Sequence, residues 1–396
     1  MISKSKIYIF ILFTVMFINI YISIPLIVLS FLKKDSSVKV TIPLFLSILA
    51  YYFIPGVDFD LYRHFTSYDF FNNGYELEYS RDFLLEILFI IGGFIGLDKH
   101  FLPMLSCFVL YFFWMATLNL KKDNVNRNYY AVVVIYLLTI PIILYSGLRF
   151  GMGLALGIYS LYLLDNSNVK KGTVFIILAA MTHFSMVIIP FVVCSQIILS
   201  KFMLMKNRRQ IVTYLVFCLI FSFNIELFID QIIEFVGLIN HGIFGWNFIT
   251  VDSYFTGSYG LERLDSLNTT GKFFTQLKQY SLILLLVTYV LCYKLYPKKP
   301  LDIWFVVLVC LCIIVINFST IYGRFSQLAL MLLVYDFSEK KFIENKKGLV
   351  IVFMLMFNLL LSRLLEVNNN FNYFSDSYSS QYFMSYFSLL YEAFKI

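Results

Sequence analysis

One stretch of this chain, residues 145–164, reads YSGLRFGMGLALGIYSLYLL and contains a single charged residue, Arg149. Apolar runs long enough to enter a lipid bilayer lie on both sides of Arg149. A charge at membrane depth costs about 2.5–3.5 kcal/mol on insertion scales, so it is kept where it faces a partner or a water-filled cavity. The stretch therefore predicts a membrane helix that carries a functional arginine.

The composition places the whole chain in the same class. It is 60% apolar and only 14% charged, with a mean hydropathy of +0.79, whereas soluble domains carry about 25% charged residues. A spanning helix needs about 20 apolar residues, and the chain holds about twelve candidate runs. We therefore expect an all-α, polytopic integral membrane protein with about 12 transmembrane helices, plus re-entrant or interfacial segments, in a single membrane domain over residues 1–396.

Three classes of site are disfavoured by the residue pattern. The six cysteines lie inside apolar runs without metal-ligand spacing, so we interpret them as packing residues and expect no metal. No phosphate-binding loop is present, and no soluble segment is large enough to bind a nucleotide, so no cofactor is expected. The net charge of +7 is spread over short loops and reports topology, not binding of nucleic acid.

The positive charges predict the orientation in the membrane. Six short connections hold 19 of the 31 Lys and Arg residues, and the positive-inside rule places them in the cytoplasm. Loops 55–82 and 224–276 and the tail 364–396 then lie outside. An even number of crossings is needed across residues 173–200, so this apolar stretch should break into a hairpin near His183. Residues 83–97 are interpreted as a re-entrant or interfacial helix. The basic connections are 33–39, 121–127, 170–171, 201–209, 294–299 and 340–347.

This orientation gathers charged residues at the outer membrane edge. The loop GVDFDLYRHF (56–65) supplies carboxylates and cations, MTHFS (181–185) supplies a histidine, and IYGRF (321–325) supplies a second arginine. Each feature has a simpler alternative: a solvated turn for the loop, a snorkelling side chain for Arg149, and a hydrogen-bonded core residue for His183. Arginine binds phosphate through a planar fork of donors, so the functional reading is a phosphate site. The edge residues are Asp58, Asp60, Arg63, His64, Arg149, His183 and Arg324.

An enzyme with an outward site and no access to nucleotides needs an activated donor that the membrane itself carries. A lipid diphosphate meets this requirement. It needs cations for the diphosphate, a base for the acceptor hydroxyl and an apolar groove for the lipid. Carboxylates and histidine are suitable bases when they are positioned against a hydroxyl.

Four segments in their chain order resemble the EpsG-like family of Wzy-type polysaccharide polymerases. They are GVDFDLYRHF, SGLRFGMGLALGI, AAMTHFSMV and IYGRFSQL, scattered from residue 56 to residue 328. The family spacing aligns Asp58 and Tyr62, and Asp60 falls outside the pattern. The resemblance implies a GT-C-like architecture and a glycosyltransferase at the periplasmic face of the bacterial inner membrane. Its partners would be undecaprenyl-diphosphate-linked saccharides, membrane lipid and a candidate chain-length regulator, with no metal and no nucleic acid.

Such an enzyme would join lipid-linked repeat units into O-antigen or capsular polysaccharide. A flippase for the same lipid-linked unit and an O-antigen ligase stay open as alternatives. Flippases usually show internal repeats and deep central cations, whereas the charges here lie at one edge. The expected catalytic residues are Asp58, His183 and Arg149, with Asp58 or His183 as the base, and the expected diphosphate- or saccharide-binding residues are Tyr62, Arg63, His64 and Arg324.

Overall fold

The computed structural model describes residues 15, 23–34, 37–57, 59–75, 83–118, 129–141, 147–202, 205, 207–239, 268–339, 346–370 and 373. Over these residues the chain is all-α, with no strand. The helices are α1 (Ile24–Leu32), α2 (Val38–Tyr51), α3 (Asp60–Asn72), α4 (Phe83–Ile95), α5 (Phe101–Thr117), α6 (Tyr129–Thr139), α7 (Leu148–Asp165), α8 (Val169–Thr182), α9 (Ile188–Lys201), α10 (Arg208–Asn224), α11 (Ile229–Ile239), α12 (Thr269–Tyr289), α13 (Pro300–Ile314), α14 (Ser319–Glu339) and α15 (Lys346–Asn369).

Several of these helices have the length and composition of membrane spans. Among the described residues, Phe184–Lys201, Thr269–Lys294 and Lys346–Val367 are long and apolar enough to cross a bilayer, and α2, α5, α6 and α13 are shorter apolar helices. Large apolar side chains such as Phe94, Phe223 and Phe353 are exposed. An outward apolar surface of this kind is what a lipid environment requires. The expected all-α membrane fold is confirmed.

The chain divides into two compact units. The first contains residues 1–187 and 363–396, and the second contains residues 188–362. In the first unit, α7 packs against α5 and α8, α2 packs against α5, and α3 packs against α4. Two buried hydrogen bonds fix this arrangement: Ser106 Oγ donates to the carbonyl of Leu148 at 3.2 Å, and Trp114 Nε1 donates to the carbonyl of Tyr136 at 2.9 Å. The first of these bonds holds the start of α7, where Arg149 lies, against α5.

Glycine residues, which have no side chain, let α7 and α8 approach each other closely. A Cβ added at Gly153 would lie 3.0 Å from Met186 Cγ and 3.2 Å from His183 Cβ. At the other end of the pair, a Cβ added at Gly172 would come within 2.8 Å of the Leu164 side chain. Small residues commonly mediate such close helix contacts in membranes. The α7–α8 pair is therefore built around glycines at both ends.

In the second unit, α13 is the central helix. It packs against α9, α10, α12 and α14, and most of its side chains are buried. Polar side chains join further helices: Ser281 Oγ on α12 donates to Asn358 Oδ1 on α15 at 2.8 Å, and Tyr322 on α14 donates to the carbonyl of Gln279 at 2.8 Å. Interhelical hydrogen bonds of this type replace the hydrophobic driving force that a lipid solvent does not supply.

The observed elements agree with the sequence reading in some places and differ in others. Helix α7 covers the predicted 149–165 helix, and a break occurs at His183, between α8 and a 3₁₀ turn at Phe184–Val187. Helix α12 starts at Thr269, inside the segment 224–276 that was predicted to form an outer loop. Lys294, counted among the cytoplasmic loop cations, is instead fully buried at the end of a π-helical turn, Val290–Lys294. Residues 240–267 of the predicted outer loop and residues 374–396 of the predicted outer tail lie outside the described residues.

Candidate functional site

The centre of the candidate site is Asp60, at the first position of α3. Its neighbours one turn further along the helix, Arg63 and His64, both reach back to its carboxylate. The spacings i+3 and i+4 put the three side chains on one helix face. His64 Nε2 lies 3.2 Å from Asp60 Oδ2, and an Arg63 guanidinium nitrogen contacts Asp60 Oδ1. A carboxylate in the first turn is also favoured by the helix dipole.

Arg149 joins this group from a distant part of the chain. It is the second residue of α7, and its guanidinium lies 3.4 Å from Asp60 Oδ2. The contact links α7 to α3 within the first unit across 89 positions of sequence. Asp60 and Arg149 keep 31% and 27% of their side-chain surface exposed, and Arg63 keeps 63%. The cluster is therefore open to a ligand.

The neighbours of Asp60 control its protonation. Burial alone would raise the pKa of Asp60, but the hydrogen bond to His64, the charge which that ring carries when protonated, and the charges of Arg149 and Arg63 outweigh it and hold that pKa well below its usual value. Asp60 is therefore ionised at neutral pH and is a weak base. Among the described residues, two guanidinium groups converge on this one carboxylate. Guanidinium groups bind phosphate oxygens through paired hydrogen bonds, so phosphate is a suitable ligand for such a pair.

His183 lies at the same end of the α7–α8 pair as Arg149. It follows the last residue of α8, and its ring packs against Phe150 on the first turn of α7, with centroids 5.6 Å apart. Gly153, one turn further along α7, leaves the space in which the His183 Cβ sits. The ring also stacks on Phe184, and its Nδ1 is hydrogen bonded to both the backbone N–H and the hydroxyl of Ser185.

The remaining predicted site residues are Tyr62, Arg324 and Asp58. Tyr62 lies on α3 with an exposed side chain. Arg324 lies near the start of α14, in the second unit, and its side chain is partly exposed. Asp58 lies outside the described residues. The structure therefore brings together Arg63, His64 and Arg149, with His183 at the same helix end.

Two features were missed by sequence reasoning. Asp60 was set aside because it fell outside the family spacing, although its i+3 and i+4 relation to Arg63 and His64 was a readable signal. The second is Tyr373, whose ring packs edge-on to Phe59 with centroids 5.0 Å apart and occupies the space beside Gly56. An aromatic side chain thus covers the residues that lead into Asp60. No sequence pattern links positions so far apart.

The described residues contain no group of three or more His, Cys, Asp or Glu side chains that is arranged to hold a metal ion. The chemistry available to the cluster is charge stabilisation by guanidinium groups and proton exchange by imidazole.

Comparison with known proteins gives one match. No curated protein and no solved structure matches the chain. Residues 99–388 match the EpsG family. This range contains Arg149, His183 and Arg324, but it begins after helix α3, which carries Asp60. The match spans well over half of the 396 residues. The chain belongs to the EpsG family.

Proposed function

We propose that this protein is a membrane glycosyltransferase that polymerises oligosaccharide repeat units carried on undecaprenyl diphosphate. Membership of the EpsG family suggests a polysaccharide polymerase-like function. The observation that supports the donor type is the partly exposed cluster of Arg149, Arg63 and His64 around Asp60. A diphosphate leaving group carries negative charge that two guanidinium groups would stabilise.

The reaction assigned to the cluster is a displacement at a sugar carbon. The acceptor hydroxyl oxygen of one lipid-linked unit bonds to the anomeric carbon of the donor chain, and the bond from that carbon to the diphosphate oxygen breaks. The diphosphate departs with the electron pair, and the hydroxyl proton passes to a base. Negative charge grows on the leaving oxygen in the transition state, where fixed donors have their largest effect. Arg149 is the residue best placed to supply such a donor.

The cell compartment and the product follow from the same proposal. We place the enzyme in the bacterial inner membrane with the cluster on the periplasmic side, where flipped lipid-linked units are available. The product would be O-antigen or capsular polysaccharide. Tyr62 and Arg63 are retained as residues that orient sugar or phosphate, and the role of Arg324 stays a prediction from the sequence.

The first experiment is a clean deletion strain whose surface polysaccharide is resolved by gel. A single repeat unit on lipid A core, with the long ladder lost, supports the polymerase. Loss of every repeat unit from the core contradicts it and indicates a flippase or a ligase, and lipid-linked polymer accumulating in the inner membrane would identify the ligase. In a strain that makes capsule, unpolymerised lipid-linked units should accumulate instead.

A second experiment tests the donor. Lipid-linked units extracted from the deletion strain are incubated with the purified protein in detergent or nanodiscs, and chain length is measured. Extension of these units supports the proposal. The matched control is the same saccharide released from its lipid diphosphate by mild acid. Equal extension of that released saccharide would overturn the assignment of a lipid diphosphate donor.

A further inference from the structure

We propose that the two histidines of this site have opposite proton roles, with His64 accepting a proton at Nδ1 and His183 donating a hydrogen bond from Nε2. The inference rests on the proposed function for its chemistry, but the tautomers themselves rest only on the neighbours of each ring. In a neutral imidazole one nitrogen carries hydrogen and the other accepts, and the hydrogen bond made by one nitrogen sets the state of the other.

The state of His64 is set by Asp60. The carboxylate of Asp60 is held ionised by the cations around it, so it can only accept hydrogen bonds. His64 Nε2, at 3.2 Å from Oδ2, must then carry the hydrogen. The neutral ring keeps its lone pair on Nδ1, and over the described residues that nitrogen makes no hydrogen bond. A carboxylate behind an imidazole also stabilises the imidazolium that forms when the ring takes a proton.

The geometry of this pair is local and rigid. Asp60 and His64 are one turn apart on α3, so helix formation alone brings them together. The His64 side chain is only 10% exposed, which limits competition by bulk water for its lone pair. Asp60 is thus a positioning residue, and His64 is the group that would take the proton from the acceptor hydroxyl.

The state of His183 is set by Ser185. The backbone N–H of Ser185 lies 3.1 Å from His183 Nδ1, and a backbone N–H can only donate. The Ser185 hydroxyl contacts the same nitrogen at 2.7 Å. Nδ1 of His183 is therefore an acceptor, and the hydrogen of the neutral ring is on Nε2. The nitrogen that could act as a base is already occupied, so His183 is suited to donate a hydrogen bond to a phosphate oxygen.

In the proposed transfer, one ring accepts a proton and the other donates a hydrogen bond. The acceptor hydroxyl loses its proton to His64 Nδ1 as its oxygen bonds to the anomeric carbon. The diphosphate takes the electron pair of the broken bond and receives a hydrogen bond from His183 Nε2–H beside Arg149. Opposite roles for two titratable groups, produced by different neighbours, are a general way in which one site runs acid and base chemistry at one pH.

The test is amide replacement at both histidines. The glutamine amide nitrogen reaches the place of Nε2, so His183→Gln should keep at least about a tenth of the wild-type polymerisation rate, whereas His183→Asn should lose about 100-fold. An amide has no basic lone pair, so His64→Gln and His64→Asn should both lose at least about 100-fold. Polymerisation by His64→Gln, or equal loss for both His183 variants, would overturn the assignment.

A second measurement does not depend on activity or on the variants. The chain has four histidines, and ¹⁵N-histidine labelling distinguishes the two neutral tautomers by chemical shift. His100 is the matched internal control, because its Nδ1 lies 2.9 Å from the carbonyl of Tyr51, which can only accept, so this ring must carry hydrogen on Nδ1. Burial lowers the pKa of His100, which favours the neutral ring.

We expect the Nε2–H form for His64 and His183 and the Nδ1–H form for His100. An Nδ1–H signal from either His64 or His183 would overturn the inference even if the protein polymerises. The expected tautomers in a protein that does not extend lipid-linked units would instead contradict the proposed function alone. The two failures are therefore distinguishable.

Discussion

Two clusters in this molecule each pair carboxylates with cations, but they differ in how completely the protein encloses them. The first surrounds Asp60 and is partly exposed, with contacts of 3.2 and 3.4 Å from His64 and Arg149. The second surrounds Lys294, whose side chain has 0% exposure. Lys294 contacts Asp302 and lies 2.8 Å from Asp336. We call the Asp60 group the open cluster and the Lys294 group the sealed cluster.

The sealed cluster has its polar atoms satisfied by the protein itself. Oδ2 of Asp302 accepts the backbone N–H groups of Lys298 at 2.8 Å and Lys299 at 3.1 Å, and the hydroxyl of Tyr289 donates to Asp336. A π-helical turn after α12 delivers Lys294 to this position. It joins α12, α13 and α14 within the second unit. A charge group completed in this way has little capacity left for a ligand, so we interpret it as structural.

The open cluster has the opposite property. Two guanidinium groups and a histidine share one carboxylate, and these arginine side chains keep part of their surface exposed. In a membrane protein an ion pair therefore indicates a ligand site when it is partly exposed, and a structural role when the protein encloses it. Substitutions at the two clusters should accordingly separate loss of activity from loss of structure.

The largest effect is expected from Lys294→Ala. Removing one partner of a buried ion pair leaves uncompensated charge and costs about 3–5 kcal/mol. We expect protein abundance in the membrane and thermal stability to fall together, measured by immunoblot and by melting in detergent. The matched control is Lys171→Ala on α8, an exposed lysine, which should change neither. Normal melting of Lys294→Ala would show that the sealed cluster does not support the fold.

Arg149→Ala should lower the polymerisation rate instead of the thermal stability. The loss of a fixed donor from a transition state usually costs about 10²–10³ in rate, whereas the side chain is partly exposed and its removal should leave abundance near normal. Arg149→Lys is the matched control. It keeps the charge without the planar fork of donors, so its polymerisation rate should lie between those of the wild type and Arg149→Ala. The measurement is polymer length on a gel alongside an immunoblot. Normal polymer length in Arg149→Ala would remove its phosphate role.

Arg149 also shows how far sequence reasoning reaches. The cost of a charge in an apolar run singled it out, and the break at His183 was expected because 28 apolar residues exceed one span. Both expectations use local composition, which a single sequence displays directly. Gly153 on α7 lies against Met186 and His183, and small residues commonly mediate such close contacts between membrane helices.

The contacts between distant segments were beyond that reasoning. The pairing of Asp60 with Arg149 depends on how α3 meets α7, and the contact of Tyr373 with Phe59 depends on where the end of the chain lies. Lys294 shows the opposite error, because it was counted as a loop cation when three helices bury it. Charge count cannot tell a solvated lysine from a paired one, since that difference is made by packing.

A smaller effect is expected from Gly153→Ala. The added Cβ would lie 3.2 Å from the His183 Cβ, so the ring should shift by a few tenths of an ångström. Alanine is favoured over glycine in a helix by about 1 kcal/mol, which offsets the crowding, so stability should be nearly unchanged. We expect the polymerisation rate to fall by about tenfold, because small misplacements of a reacting group are costly. Gly237→Ala on α11, where a Cβ meets nothing within 4 Å, is the control. A normal rate in Gly153→Ala would show that the position of His183 is not critical.

The smallest effect is expected from Asp69→Asn, with Asp60→Asn on the same helix as its contrasting variant. Asp69 near the end of α3 pairs with Lys99 at 2.6 Å, and both side chains are substantially exposed. Exposed pairs contribute about 0–1 kcal/mol, so Asp69→Asn should leave both abundance and polymer length close to wild type. Asp60→Asn changes the same atoms at the other end of the helix, but it removes the acceptor that orients His64 and Arg149. We expect it to lower the rate by at least about 100-fold, because loss of the orienting carboxylate in a Ser-His-Asp triad lowers kcat by about 10⁴. Equal effects of the two substitutions would mean that the helix carries charge for solubility alone, and that proximity to Arg149 has no chemical consequence.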